Sequence, residues 1–222
     1  MDFSAYSQSE NDDHLSEFIT LYNHYFPIVE EREDTHLWRS KILDNSASFS
    51  MDITFALIDD KVIGGVVTEY YPHSQFGLLT YILVDTKHRR KGIALKLVEQ
   101  AIKCFDRMSN NQINSILLEI EDPSKIENIE DRVIAEQRIN FYRKLNAERI
   151  CFEYFQPPLH KGENGCDFLW LVTISDTTYL TPQSLYGFLR EFYSTLYCDY
   201  GDPLVQRSLS VKNYPVLSLE RL

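Results

Sequence analysis

The spacing of apolar residues in the first half of the chain predicts two helices followed by three strands. In the helical segments apolar side chains recur every third or fourth position, and in the strands β-branched and aromatic residues dominate. A short polar sequence, Asp59-Asp60-Lys61, joins the first two strands and predicts a hairpin. The predicted elements are helices 14–26 and 33–43 and strands 48–58, 62–71 and 77–84.

The second half of the chain predicts a longer alternation of helices and strands. After Gly92 the apolar side chains form one stripe, which is typical of a helix packed on a core. Thr181 and Pro182 are a typical N-cap and first-turn pair, so they predict the start of a last helix. The other predicted elements are strand 113–122, helix 130–145 and strands 148–156 and 167–175. This order predicts a mixed α/β fold, with a mixed central sheet and helices on both faces.

The end of the chain is longer than the alternating pattern requires. No linker-like segment interrupts the sequence, so we assign residues 1–178 to one domain and residues 179–222 to a C-terminal helical extension. The apolar face of the last helix consists of Leu185, Phe188, Leu189, Phe192 and Leu196. This face has to cover either its own sheet or a partner subunit, and a homodimer therefore remains one of two alternatives.

Composition narrows the class of protein. The formal net charge of −11 opposes bulk binding to nucleic acid or to an anionic membrane, and it favours cationic small molecules. The first residues carry no secretory signal, and no apolar run reaches the roughly 20 residues that span a bilayer. The cysteines and histidines lack metal-ligand spacing. These patterns predict a cytoplasmic protein with reduced cysteines and no metal site.

One short basic segment contrasts with this acidic composition. Residues 87–91 read Lys-His-Arg-Arg-Lys and lie between an apolar strand and the helix that follows Gly92. The first N–H groups of a helix are unpaired and carry about half a positive charge, so together with these cations they suit a multiply charged phosphate. Gly92 lets the backbone approach such a ligand, and the small Ala94 lets the helix lie close to the sheet. A solvated basic turn or a small nucleic-acid patch is the alternative.

The basic segment resembles the pyrophosphate loop of the GNAT superfamily of acyl-CoA N-acyltransferases. The family loop reads [QR]-x-x-G-x-[GA], and Arg89, Gly92 and Ala94 occupy its three defined positions. Val84 precedes Arg89 as in the V-x-P-x-x-R sequence that leads into the loop. A second family signature, FYxxxGF, resembles FYRKLNA at residues 141–147. The likeness extends from about residue 15 to residue 175.

This resemblance implies a GNAT fold, in which splayed central strands form an acyl-CoA cleft. It implies an N-acetyltransferase that uses acetyl-CoA as co-substrate and a primary amine, on a small molecule or a peptide, as acceptor. The amine attacks the thioester directly within a ternary complex, and backbone N–H groups of the strand before the loop stabilise the developing negative charge. The residues implied in binding acetyl-CoA are Ile82, Leu83, Val84, Arg89, Arg90, Lys91, Gly92, Ile93, Ala94, Leu95 and Arg138.

Three side chains are candidates for the acid–base chemistry of this reaction. An alkylammonium has an ordinary pKa near 10.4, so a base has to remove its proton before the amine attacks. Alternation along the strand places Glu119 and Glu121 on one face, and Glu119 lies near the position of a catalytic glutamate in several GNAT members. Tyr142 matches the tyrosine that protonates the departing thiolate in many members. The alternatives are two ordinary exposed carboxylates and a packing tyrosine.

Several positions depart from the family pattern. Thr86 stands where Pro is usual, Arg90 where Gly is common, and Asn146-Ala147 where Gly-Phe is expected. Asn tolerates the left-handed conformation that ends many helices, so we expect the turn at Asn146 to be kept. Ala135 replaces an asparagine that contacts the cofactor in many members. These departures leave a second interpretation open, a CoA-binding protein that senses or regulates without turnover.

Acidic residues between the first two helices are candidates for holding a cation beside the acceptor amine. They are Glu30, Glu31, Glu33 and Asp34. An ordinary solvated loop is the alternative.

Overall fold

The computed structural model describes residues 1–6, 12–29, 32–44, 48–174 and 179–222. The chain forms two compact units. Unit 1 consists of Met1–Pro72 and Gly77–Ile113, and unit 2 consists of His73–Phe76 and Asn114–Leu222.

The described residues of unit 1 form four neighbouring strands and three α-helices. Its strands are β1 (Asp2–Ala5), β2 (Ser50–Ile58), β3 (Lys61–Tyr71) and, from Gly77 onward, β4 (Phe76–Val84), in the order β1-β2-β3-β4. Its helices are α1 (Asp12–Tyr25), α2 (Trp38–Leu43) and α3 (Ile93–Ser109). The hairpin prediction is confirmed: β2 and β3 pair antiparallel, and the turn residues Asp59 and Asp60 have φ of 49° and 61°.

Helices α1 and α3 pack on opposite faces of β3. Gly65 faces α1, because a Cβ added there would lie 2.7 Å from the ring of Phe18. Thr68 faces α3, where its hydroxyl lies 3.8 Å from the Cys104 sulfur. Since residues an odd number apart in a strand point to opposite faces, unit 1 has helices on both faces of its strands. This part of the fold prediction is confirmed.

Unit 2 contains the remaining strands and helices. Its strand order is β5-β7-β6-β8, and each neighbouring pair is antiparallel. The strands are β5 (Ser115–Glu121), β6 (Glu148–Ile150), β7 (Leu169–Thr173) and β8 (Leu219–Arg221). The helices are α4 (Ile129–Arg143), α5 (Pro182–Tyr193) and α6 (Pro203–Leu209). The predicted capping pair is confirmed, since the Thr181 side chain accepts the N–H of Ser184 at the start of α5.

The apolar face of α5 is buried within unit 2. Leu185, Phe188 and Leu189 are completely buried, and the ring of Phe188 lies 5.3 Å from that of Phe76. Glu191, on the same helix, accepts the backbone N–H groups of His73 and Ser74 at 3.0 and 2.8 Å. Helix α5 is therefore fixed to its unit by both apolar and polar contacts.

The structure corrects several predicted boundaries. The strands predicted at 148–156 and 167–175 are shorter, and residues 175–178 lie outside the described part of the chain. Between Ile150 and Leu169 the described chain has one isolated bridge, which joins Gln156 and Cys166. The two prolines that follow Gln156 cannot donate to a ladder. Three short elements were not anticipated: β1, α6 and β8.

Two features are absent from the described residues. No helix in those ranges is long and apolar enough to cross a membrane. Within the same ranges, no three His, Cys, Asp or Glu residues are grouped so as to hold a metal ion. The four cysteines are free thiols.

Candidate functional site

Helix α3 begins without a side-chain cap. Its N-cap residue is Gly92, which has φ of 76° and no atom within 4 Å of the position that a Cβ would take. Each helix of unit 2, by contrast, begins at a side chain that accepts a backbone N–H, namely Asn128, Thr181 and Asp202. Among the described residues, no side chain accepts the first N–H groups of α3, which leaves them available to an anion.

Two exposed cations stand beside this open helix end. Among the described residues, neither Arg90 nor Lys91 has a hydrogen bond or an ion pair. Their charges add to the positive end of the α3 dipole, so the local potential favours a ligand with several negative charges. Arg90 has φ of 62°, a left-handed conformation that glycine adopts at little cost. This conformation accounts for the glycine that is common at this position in the family loop.

The turn between β4 and α3 is held in place by α1. The Tyr25 hydroxyl oxygen accepts the N–H of Thr86 at 2.8 Å and lies 3.3 Å from the Thr86 hydroxyl. The Arg89 guanidinium lies over the Tyr25 ring, with its carbon 4.9 Å from the ring centre, and its Nε donates to the Val84 carbonyl at 2.9 Å. The side chain of Arg89 is thus engaged in shaping the turn, which leaves the backbone and the next two cations as the open part of the site.

The end of β4 lies against the backbone of β3. A Cβ at Gly64 would lie 2.5 Å from the Leu83 carbonyl oxygen, so only glycine allows this approach. The N–H of Asp85 donates to the Ile63 carbonyl at 2.8 Å, and the Asp85 carboxylate caps the turn by accepting the N–H of Lys87 at 2.9 Å. These contacts fix the backbone of residues 82–84 directly before the basic turn.

In unit 2, Glu119 is a partly buried carboxylate held by two neutral donors. The Tyr154 hydroxyl donates to its Oε1, and the Gln156 amide nitrogen lies 3.0 and 2.9 Å from its two oxygens. Burial, and secondarily the negative charge of Glu119, raise the pKa of Tyr154 well above its ordinary value. The phenol therefore keeps its proton and remains a hydrogen-bond donor to the carboxylate.

The second candidate carboxylate has a different partner. Glu121 lies on the same face of β5 as Glu119, and it forms an ion pair with Arg138 of α4. The carboxylate is 32% and the guanidinium 47% exposed, so the pair lies at the surface. Arg138, which the sequence suggested as a phosphate partner, is here neutralised by Glu121.

Tyr142 lies in α4 with a buried ring and a hydroxyl that has no hydrogen bond among the described residues. Its side chain is only 7% exposed, and burial raises its pKa to about 12. The helix ends as predicted, because Asn146 adopts φ of 55°. Ala135, about two turns before Tyr142 on the same helix, is 2% exposed and packs in the core of unit 2. It offers no polar group where the family asparagine stands.

The acidic residues Glu33 and Asp34, before α2, form contacts within unit 1. Glu33 forms an ion pair with Lys41 and accepts the indole N–H of Trp38 at 3.3 Å. Asp34 accepts the N–H of His36 at 3.0 Å and so begins a short helical turn. The predicted Glu30 and Glu31 lie outside the described residues.

The sequence matches the model of one known protein family. The model described as "Acetyltransferase (GNAT) family" matches residues 15–130, more than half of the chain. The chain belongs to the GNAT acetyltransferase family. The match contains the basic turn and both candidate carboxylates, and it ends before Tyr142. Among curated proteins, none matches the chain.

Solved structures have the same fold at low sequence identity. A putative GNAT acetyltransferase from Bacteroides thetaiotaomicron is 21% identical, with a TM-score of 0.56, over 79% of this chain and 88% of that one. An aminoglycoside 6'-N-acetyltransferase complexed with coenzyme A is 19% identical, with a TM-score of 0.53, over 79% and 98% of the two chains. The corresponding enzyme from Enterococcus faecium is 16% identical, with the same TM-score and coverage. These likenesses confirm the predicted GNAT fold.

Sequence reasoning did not identify three side chains that shape these sites in this GNAT protein. Tyr25 supports the turn from the end of α1, and nothing in its local sequence distinguishes it from the other tyrosines. Tyr154 and Gln156 hold Glu119 from a segment that was predicted to be a strand. Alternation places both on one face of such a strand, so this signal was present in the sequence.

Replacing Arg90 by Gly is expected to stabilise the protein while weakening its electrostatic attraction for an anion. A left-handed non-glycine residue costs roughly 1–2 kcal/mol, and glycine costs about 0.5–1 kcal/mol in unfolded-chain entropy, so a net gain of roughly 0.5–1 kcal/mol is expected. Urea unfolding measures this gain, and acetyl-CoA titrations at two salt concentrations measure the attraction. Lys91→Gly is the control, since Lys91 has no positive φ and its replacement relieves no strain. Equal destabilisation by both substitutions would contradict the strain at Arg90.

Proposed function

We propose that this GNAT protein is an N-acetyltransferase that transfers the acetyl group of acetyl-CoA to a primary amine. The amine attacks the thioester directly while both substrates are bound. The observation that carries this proposal is the start of α3 at Gly92, which has no side-chain cap, with the exposed cations Arg90 and Lys91 beside it. A helix end of this kind, in a family of acetyltransferases, suits the pyrophosphate of coenzyme A.

Backbone donors complete the cofactor site in this proposal. The N–H groups of Gly92, Ile93, Ala94 and Leu95 bind the phosphates, and Arg90 and Lys91 neutralise their charge. Negative charge develops on the thioester oxygen during attack, and the backbone of Ile82, Leu83 and Val84 provides the donor for it. The close approach of Gly64 to Leu83 supports a rigid backbone at this position.

Glu119 is the residue that we assign as the base. The acceptor amine is protonated at neutral pH and has to lose a proton before attack, directly or through a water molecule. Tyr154 and Gln156, both uncharged, orient the two carboxylate oxygens of Glu119. Glu121 is the alternative base, but its charge is already compensated by Arg138.

Tyr142 is the residue that we assign as the acid. Coenzyme A leaves as a thiolate, and the corresponding thiol has an ordinary pKa near 8.5. The acid donates its proton to the sulfur as negative charge develops there. The hydroxyl of Tyr142 has no competing partner among the described residues, and burial keeps it protonated. The lack of a competing partner supports its role as a proton donor, whereas the raised pKa makes this phenol a weaker acid than an ordinary tyrosine.

A CoA-binding sensor without turnover is the second candidate. The buried Ala135 favours it, since this position lacks the polar contact that the family asparagine makes. Such a protein would bind acetyl-CoA and coenzyme A alike and would acetylate no amine.

Thermal unfolding and a turnover assay test the two candidates together. Acetyl-CoA and CoA at about 100 times their Kd are expected to raise Tm by about 5–10 °C, and ATP is expected to raise it much less. Thiol release is then measured with a panel of amines that includes polyamines, aminoglycosides, and peptides with a free N-terminus or lysine. Stabilisation with release identifies an enzyme, and stabilisation without release from any amine favours the sensor. No stabilisation by either thioester or thiol would overturn the cofactor assignment.

A further inference from the structure

The chain segment that holds Glu119 is short and continuous. Tyr154 and Gln156 contact the carboxylate, and Phe155 lies between them with its ring buried. Any shift of the Phe155 backbone therefore moves both donors together. The position of this backbone decides how Glu119 is held.

The C-terminal helices determine the position of that backbone. The Tyr193 hydroxyl, at the end of α5, donates to the Phe155 carbonyl. Its oxygen lies 2.8 Å from the Ser208 hydroxyl of α6. A phenol has one proton, so Ser208 donates to Tyr193. Tyr193 and Ser208 are both completely buried, which makes this a chain of hydrogen bonds without access to water.

The other side of the segment is restrained as well. Gln156 exchanges two backbone hydrogen bonds with Cys166, both 2.8 Å long. A Cβ at Gly165 would lie 2.2 Å from the Phe155 ring, so the neighbouring segment packs directly on Phe155. With Glu191 fixing α5 to His73 and Ser74, the helix that carries Tyr193 is itself anchored in unit 2.

We propose that Tyr193, in the C-terminal extension, is a positioning residue for Glu119 and acts through the Phe155 carbonyl on Tyr154 and Gln156. This inference rests on the proposed function, in which Glu119 is the base. It gives the extension a role in the reaction beyond packing. A minimal acetyltransferase domain that ended before α5 would lack this support.

The physical effect of Tyr193 is geometric. Removing its hydroxyl leaves the buried Phe155 carbonyl and the Ser208 hydroxyl short of a partner, which favours a shift of the Phe155 backbone toward other donors. The Tyr154 and Gln156 donors then move away from Glu119, and its charged form loses stabilisation. Tyr193 and Cys166 are among the titratable groups that act on Tyr154.

Titration of Glu119 by NMR tests the proposal without a substrate. The protein is labelled with ¹³C at the glutamate carboxyl carbons, and the Glu119 signal is assigned with Glu119→Gln. Tyr193→Phe is expected to raise the titration midpoint of Glu119 by about 0.5–1 pH unit, and Ser208→Ala by a smaller amount in the same direction. With the best amine from the panel, kcat of Tyr193→Phe is expected to fall about tenfold while the Kd of acetyl-CoA stays unchanged.

Tyr200→Phe is the matched control. It removes a tyrosine hydroxyl of the same extension, which donates to the Arg190 carbonyl at 3.4 Å rather than to the Phe155 carbonyl. The proposal is overturned if folded Tyr193→Phe titrates and turns over like Tyr200→Phe. If Tyr193→Phe does not fold, Ser208→Ala decides, and an unshifted Glu119 midpoint in that variant overturns the proposal. Failure of acetyl-CoA to bind the wild-type protein would overturn the proposed function instead, and the NMR titration would still report on Tyr193.

Discussion

Replacing Gly92 by Asp is expected to weaken acetyl-CoA binding at least about tenfold, which corresponds to about 1.4 kcal/mol. The new carboxylate enters open space beside the first N–H groups of α3, since nothing lies within 4 Å of the Gly92 Cβ position. There it caps the helix and competes with the pyrophosphate for the same donors, and it repels the phosphate charge. Isothermal titration calorimetry measures the loss.

Gly92→Asn separates the charge from the backbone cost. Asn and Asp have the same size and both tolerate a left-handed φ, so both substitutions carry a similar strain at 76°. The Asn variant is expected to bind acetyl-CoA more tightly than the Asp variant by about 1 kcal/mol, a factor of about five. Wild-type affinity in the Asp variant would refute the binding of phosphate at this helix end.

Replacing Tyr142 by Phe is expected to lower kcat about 100-fold with little change in the Kd of acetyl-CoA. The substitution removes only a hydroxyl, and this hydroxyl has no hydrogen bond among the described residues. The free energy of unfolding is therefore expected to change by less than about 0.5 kcal/mol. A large loss of kcat without a loss of stability identifies the phenol as a proton donor, and steady-state kinetics with calorimetry and urea unfolding measure all three quantities.

The pH dependence provides a second test of Tyr142. Burial raises its pKa to about 12, so the phenol stays protonated in assays between pH 7 and pH 9. The folded state holds this proton more tightly than the unfolded state. Tyr142 therefore makes its full contribution to the free energy of unfolding below about pH 10, and this contribution is lost as the pH rises toward 12. Tyr197→Phe, at a 56% exposed tyrosine, is the control and is expected to keep wild-type turnover. Equal kcat in the Tyr142 and Tyr197 variants would contradict the proton-donor role and would indicate that Tyr142 only packs in the core.

Turn and helix-capping residues that are adjacent in the sequence made much of the fold predictable. The hairpin follows from two aspartates in a two-residue turn, and α5 follows from the Thr181-Pro182 pair at its start. The same signal precedes α6, where Asp202 and Pro203 occupy the corresponding positions, so this helix was within reach of the sequence. Strands β1 and β8 are only four and three residues long, which is too short for a period of two to be recognised.

The site was predictable only where a local motif carries it. Gly92 and the cations beside it belong to a loop whose backbone conformation restricts the sequence. The partners of Glu119 were not predicted, because Tyr154 and Gln156 are more than thirty residues away along the chain and reach it through tertiary packing. Tyr193 is farther still, and its contact is with a backbone carbonyl, which leaves no trace in the identity of Phe155.

The contact between Tyr193 and Phe155 can form only late in translation, because Tyr193 lies near the end of the chain. The basic turn of unit 1 and Glu119 leave the ribosome well before α5 and α6 are made. A growing chain can therefore fold its basic turn while the carboxylate proposed to accept the proton still lacks the contacts from α5 and α6. In the proposed mechanism, acetyl transfer at full rate awaits synthesis of the residues up to Ser208, and a chain without this contact transfers acetyl more slowly.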